Sequence, residues 1–231
     1  MSRIRCQIDA LTPLCDTVFK AVLVPEQPLA FQAGQYLTVV MGEEDKRPFS
    51  IASSPLDGER LELHIGAAVA ESYPMQVVER LKTESHIEIE APFGEAQLRS
   101  DSERPRILIA GGTGFSYIHS LLDTLLRQGD TRTTFLYWGA RNAEAMYLRP
   151  VADAWAQRYP HLTFVPVFDE PVAGARQGTV IDAVCEDFVS LHDYDVYIAG
   201  RFDMAGAARE RFRQHGVDEA HLYGDAYAFM K

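Results

Sequence analysis

The chain reads as an N-terminal antiparallel β-barrel over residues 1–98 followed by a C-terminal doubly wound α/β domain over residues 104–231. Three observations predict this. Short β-branched or alternating segments fill the first hundred residues, with only one helical pattern among them. From Arg106 onward, continuous apolar strands alternate with amphipathic helices. Between the two lies Leu98-Arg99-Ser100-Asp101-Ser102-Glu103-Arg104, a polar stretch with few apolar anchors.

The barrel strands are expected at Ile4–Ala10, Thr17–Val24, Tyr36–Met41, Arg60–Gly66 and His86–Glu90. Leu61-Glu62-Leu63-His64-Ile65 and Ile87-Glu88-Ile89-Glu90 alternate apolar with polar, as a half-buried strand must. A helix over about Glu71–Lys82 carries Met75, Val78 and Leu81 on one face. In the second domain, strands are expected at Arg106–Ala110, Thr133–Trp138, Leu162–Phe168 and Val196–Ala199. Helices follow to Gln128, near Val151–Arg158, near Val180–Asp187 and over Met204–Gln214, with Gly129 and Gly216 as stops and Asp203 as an N-cap.

The 231 residues carry a formal charge of −11, which argues against general binding to nucleic acid or to an anionic membrane. Cys6, Cys15 and Cys185 form no CxxC pair, and the seven histidines show no metal-binding spacing, so no metal site is expected. The stretch from Met1 to Asp9 lacks the apolar segment of a signal peptide, and no run has the length of a membrane span. A soluble cytoplasmic protein is the expectation.

Two segments carry chemistry. Ala110-Gly111-Gly112-Thr113-Gly114 follows a strand and opens a helix, where glycines permit close backbone approach and free N–H groups attract phosphate. A tight turn without a ligand reads the same way. Arg47-Pro48-Phe49-Ser50 follows a barrel strand, and Pro48 implies an edge or a break in pairing there. Phe49 can pack along a ring, Ser50 can hydrogen-bond a ring nitrogen, and Arg47 can meet an anion. A bent edge strand with a solvated arginine is the plain alternative.

Taken in order with Tyr137-Trp138-Gly139-Ala140-Arg141 and Ala199-Gly200-Arg201-Phe202-Asp203-Met204, these segments resemble the ferredoxin–NADP reductase superfamily. Within it, Asp45–Ser50, Ile107–Tyr117 and Leu222–Phe229 resemble the bacterial NAD(P)H:flavin oxidoreductases. The resemblance implies that NADH or NADPH reduces riboflavin, FMN or FAD as an exchangeable substrate. It implies that reduced flavin then serves an acceptor such as a luciferase, a monooxygenase or a ferric iron complex. Ser50 is the implied catalytic residue. Tyr36, Arg47, Pro48, Phe49, His64, Ile65, Gly66, Ala67, Thr113 and Tyr117 are the further implied flavin contacts. Gly111, Gly112, Thr113, Gly114, Arg141, Gly200 and Arg201 are implied to meet the pyridine nucleotide.

The chain departs from the wider superfamily. Gly66-Ala67-Ala68-Val69-Ala70-Glu71-Ser72 lacks the Gly-x-x-Ser turn that holds the flavin pyrophosphate in many relatives, and it adds the anionic Glu71. Ala199-Gly200-Arg201-Phe202 replaces their Cys-Gly-Pro-Pro, and no electron-carrier domain is expected. A reductase that retains FAD and passes electrons to a ferredoxin or oxygenase, and a non-enzymatic regulatory subunit on the same scaffold, remain as alternative readings. The flavin is expected to bind with a micromolar or weaker dissociation constant, corresponding to roughly −7 to −8 kcal/mol. The protein should therefore elute colourless from gel filtration, and stoichiometric FAD in the eluted peak would refute a diffusible flavin.

Overall fold

The computed structural model describes residues Ser2–Met230. The chain forms two compact units, one running to Leu98 and including His119–Leu125, the other formed by Arg99–Ile118 and the residues from Leu126 on.

The first unit contains β1 (Ser2–Cys15), β2 (Val18–Pro25), β3 (Tyr36–Val40), β4 (Lys46–Ser50), β5 (Leu61–Gly66), α1 (Tyr73–Thr83) and β6 (His86–Phe93). The strands make one antiparallel sheet in the order β4-β3-β6-β1-β2-β5. The sheet curls so that its first and last strands approach: the Ala52 N–H, just past β4, donates to the Glu62 carbonyl of β5 at 2.7 Å. Alternate residues supply the interior, among them Leu37 and Val39, Leu61, Leu63 and Ile65, and Ile87 and Ile89. Helix α1 covers this interior with Val77, Val78 and Leu81, and Met75 packs beside them half-buried. Ser72 is its N-cap, accepting from the Met75 N–H.

The second unit contains β7 (Arg106–Gly111), α2 (Phe115–Arg127), β8 (Thr134–Ala140), α3 (Arg149–Arg158), β9 (Leu162–Phe168), β10 (Arg176–Gln177), α4 (Val180–Asp187), β11 (Asp195–Ala199), α5 (Phe202–Gln214) and β12 (Leu222–Tyr223), with part of α2 counted in the first unit. Its parallel sheet runs β10-β9-β8-β7-β11-β12. The chain starts at the middle strand β7, builds outward through β8 and β9, then returns to the other side of β7 with β11. The order therefore reverses between β7 and β11, a doubly wound switch point. Gly129 and Gly216 end α2 and α5 at φ +73° and +82°.

Several expectations need correction. Arg47–Ser50 lies within an edge strand rather than after one, and the Pro48 on it costs no ladder because β4 pairs only with β3. Strand β1 is far longer than the Ile4–Ala10 pattern, since two register shifts absorb its irregular alternation. The strands β10 and β12 are two residues each, too short for any periodic signal. Asp203 is not the N-cap of α5: Arg201 holds that position, and Asp203 lies in the first turn, accepting from the Met204 N–H at 2.9 Å.

One buried ion pair anchors the start of β7. The Arg106 side chain is 0% exposed and its Nη2 donates to Asp130 Oδ2 at 3.0 Å. Burial works against the Asp130 charge, but hydrogen bonds from Arg132 and Arg106 hold its carboxyl well below the ordinary carboxylate range. Asp130→Asn leaves a buried guanidinium without its counter-charge, and should cost about 3 kcal/mol. Because the folded-state value is depressed, the stabilisation is full above the unfolded carboxylate range, near pH ~4, and is lost as pH falls further. Denaturant melts of both proteins should differ constantly from about pH 5 to 8 and converge in acid; a gap independent of pH would contradict this.

Candidate functional site

On the first unit, the pleat of β4 sorts the Arg47–Ser50 segment into two faces. Ser50 lies opposite Tyr36 in the β3 pairing, and Pro48 opposite Thr38. Tyr36 is itself stacked on Phe93, with ring centroids 5.4 Å apart. Phe49 lies opposite the fully buried Leu37 and packs partly into the barrel interior, with its ring 6.2 Å from that of Tyr73. The four residues thus do not share one surface. Among the described residues the half-buried Ser50 hydroxyl makes no hydrogen bond, so it is free to serve a ligand atom.

Arg47 is already engaged. Its Nε and Nη2 donate to the two carboxylate oxygens of Asp45 at 2.8 and 2.6 Å, Nη1 donates to the Tyr73 carbonyl at 2.7 Å, and Nη2 donates to Gln76 Oε1 at 2.8 Å. These hydrogen bonds push the Asp45 carboxyl below its ordinary value and the Arg47 guanidinium above its own. Glu71, at φ +62°, directly precedes the Ser72 cap of α1, which adds a negative charge near the helix start in the sequence.

His64 belongs to the interior of the first unit. Its side chain is 0% exposed, its Nε2 lies 2.8 Å from Glu62 Oε1, and its ring meets that of His119 edge-on at 5.5 Å. Burial lowers its pKa despite the pull of Glu62, so it is neutral at neutral pH and donates from Nε2. Ile65 and Ala67 are likewise buried, which leaves the half-buried Gly66 as the accessible part of that strand end. The backbone that continues from Ser50 is tied down by α2. His119 Nδ1 lies 2.8 Å from the Ala52 carbonyl, and the Ser120 hydroxyl donates to the Ser53 carbonyl at 2.7 Å.

On the second unit, the glycine turn and the Ala199-Gly200 turn meet at the C-terminal ends of neighbouring strands. A Cβ built on Gly114 would lie 2.2 Å from the Ala199 carbonyl oxygen, and one on Gly111 or Gly200 would run into the Met204 sulfur at 2.4 or 2.6 Å. Gly112 differs: at φ +53° it faces open space, with nothing within 4 Å of a Cβ. The Gly112 carbonyl accepts from Trp138 Nε1 at 3.0 Å and the Thr113 carbonyl from the Ser116 hydroxyl at 3.0 Å. Among the described residues the Thr113 hydroxyl makes no hydrogen bond. An open backbone turn leading into α2, at a switch point and at strand carboxyl ends, is suited to an anionic ligand.

The remaining expected residues fare differently. Tyr117 is 1% exposed, and the charged and phenolic groups acting on its hydroxyl are Asp225, Tyr197, Arg99 and Tyr223 of the same unit. Burial raises its pKa far above the ordinary value, and its ring is packing rather than an open ligand surface. Arg141 and Arg201 are 78% and 86% exposed, and each already pairs with an acid, Glu170 at 2.9 Å and Asp203 at 3.1 Å. Sequence reasoning missed Asp45, Tyr73 and Gln76 around Arg47. The Asp45-Lys46-Arg47 spacing, which places opposite charges on one side of a strand, gave a signal for Asp45, and none marked Tyr73 or Gln76.

Residues 108–210 match the model of the oxidoreductase NAD-binding domain family. The chain is 50% identical to the NAD(P)H-flavin reductase of Vibrio harveyi over 235 residues, covering 98% of this chain and 99% of that protein. It is also 50% identical to the NAD(P)H-flavin reductase of Aliivibrio fischeri over 234 residues, with 98% and 99% covered. Among solved structures it is similar to an Amycolatopsis cytochrome P450 reductase at 25% identity, with a TM-score of 0.86, over 97% of this chain and 69% of that one.

The glycine geometry makes a paired prediction. Gly114→Ala forces a methyl into backbone and should destabilise the second unit by about 3 kcal/mol or prevent folding. Gly112→Ala meets only the strain of positive φ, about 1 kcal/mol. Thermal melts of the two variants check the order; equal losses would show that close backbone contact is not what Gly114 serves.

Proposed function

We propose a mechanism for this chain from the premise that it belongs to the NAD(P)H-flavin reductase family. It is an oxidoreductase that reduces flavins with NAD(P)H. The pyridine nucleotide is the electron donor and the flavin the substrate. When the two are bound, the nicotinamide supplies hydride from its C4 and the flavin accepts it at N5.

The protein's part is binding and orientation. Ser50 and Tyr36, adjacent on the outer side of the β3–β4 pair, carry the flavin ring, with the Ser50 hydroxyl directed at N5. The observation that carries this assignment is that the half-buried hydroxyl has no protein partner, while the Ala52 and Ser53 carbonyls beyond it are held by His119 and Ser120. The donor is therefore preorganised at the one place where its bond is unmade. Gly111–Gly114 and Gly200 form the floor on which the nucleotide lies, the Gly112 backbone being the open part of it. Thr113 offers its hydroxyl there.

The flavin leaves after reduction, because Arg47 is already paired with Asp45 and the acidic Glu71 precedes α1, which leaves its phosphate without a strong anchor. The released flavin serves a luciferase, a monooxygenase or a ferric complex in the cytoplasm. Among the described residues no helix is long and apolar enough to cross a membrane.

Ser50→Ala tests the assignment. It should lower kcat by roughly ten- to a thousandfold, as expected for a hydrogen bond that matters most in the transition state. Riboflavin affinity should change far less, since ring contact remains. Steady-state NAD(P)H oxidation with riboflavin, together with a fluorescence titration, separates the two quantities. An unchanged kcat would remove Ser50 from the site.

A further inference from the structure

The Asp45 carboxylate owes its place to the hairpin between β3 and β4. The Met41 and Gly42 N–H groups both donate to the Asp45 carbonyl, at 2.8 and 3.2 Å, and the Asp45 N–H returns a bond to Gly42. From there, two residues along the strand, its side chain falls on the same side as Arg47. The result is a bidentate pair, with each carboxylate oxygen meeting a different guanidinium nitrogen. The Tyr73 carbonyl and Gln76 take further donors, so Nε, Nη1 and Nη2 are all occupied and the Arg47 side chain is 13% exposed.

We propose that Asp45 is a specificity-determining residue: it fills the phosphate-binding fork of Arg47, so that the site selects the ring common to all flavins and ignores the phosphorylated tail. This rests on the reading that places the flavin along β4. Asp45 presents to Arg47 the same two-oxygen geometry that a phosphate would present. A flavin phosphate would have to displace it and then lie beside the displaced charge, so exchange gains nothing. With Asp45 neutral, the guanidinium keeps its support from Tyr73 and Gln76 but faces the tail with its charge uncompensated.

The experiment measures riboflavin and FMN dissociation constants by flavin fluorescence quenching, at low and at high ionic strength. The wild-type protein should bind the two within a fewfold of each other. Asp45→Asn should raise the ratio of FMN to riboflavin affinity about five- to tenfold, as one charge-assisted contact is released. That gain should fade at high salt. Gln76→Glu, which adds a second carboxylate to Arg47, should move the ratio the other way. A ratio unchanged in both variants, or a parallel loss of both flavins, would overturn the proposal and make Asp45 a structural brace between β4 and α1. The flavin site itself is judged separately: if Ser50→Ala impairs turnover while the Asp45→Asn ratio stays flat, only this inference fails, whereas an inert Ser50→Ala removes the reading on which it rests.

Discussion

The second unit depends on one constraint, the contact of backbone with backbone where β7 and β11 end. At Gly114 no side chain fits, because a Cβ there would meet the Ala199 carbonyl, while at Gly111 and Gly200 the mobile sulfur of Met204 fills the space beside the backbone. Because these glycines are bare, β7 and β11 stay paired through Ala110 and Ala199. The chain then turns directly from β7 into α2 and from β11 into α5. A side chain on Gly114 would push the turns apart, whereas one on Gly111 or Gly200 would first displace the Met204 side chain. The open surface at Gly112 exists because its neighbours are packed so closely.

The first unit is organised by a different rule, the alternation of side chains along an edge strand. β4 hydrogen-bonds only to β3, so Pro48 is tolerated where an inner strand would lose a ladder bond. The pleat then divides the segment's duties. Arg47 and Phe49 fasten β4 to α1 through Tyr73 and Gln76, and Ser50 is left beside Tyr36 without a protein partner. Rigidity comes from behind, where the Ala52 and Ser53 carbonyls are held by His119 and Ser120.

Charge completes the picture. Where phosphate would be expected, the chain supplies its own anions: Asp45 on Arg47, Glu71 before the cap of α1, Glu170 on Arg141 and Asp203 on Arg201. An exposed arginine with an acidic neighbour offers a ligand little net field.

The sequence by itself determined the two-part architecture, the strands β7, β8, β9 and β11 and the glycine turn, because these are local properties: apolar runs, helical periodicity and residues that tolerate unusual φ. It also pointed to Ser50 through the Arg-Pro-Phe-Ser pattern. Tertiary structure alone decided which glycines serve packing and which one faces open space, since that depends on what a strand nearly a hundred residues away places opposite them. It alone decided that Tyr117 and His64 are interior, and that four of the five Arg47 N–H donors are taken by groups from a hairpin and a helix. Asp45, Tyr73 and Gln76 are ordinary residues in the sequence. They meet on one guanidinium because the barrel closes against α1, and no local pattern encodes a meeting of that kind.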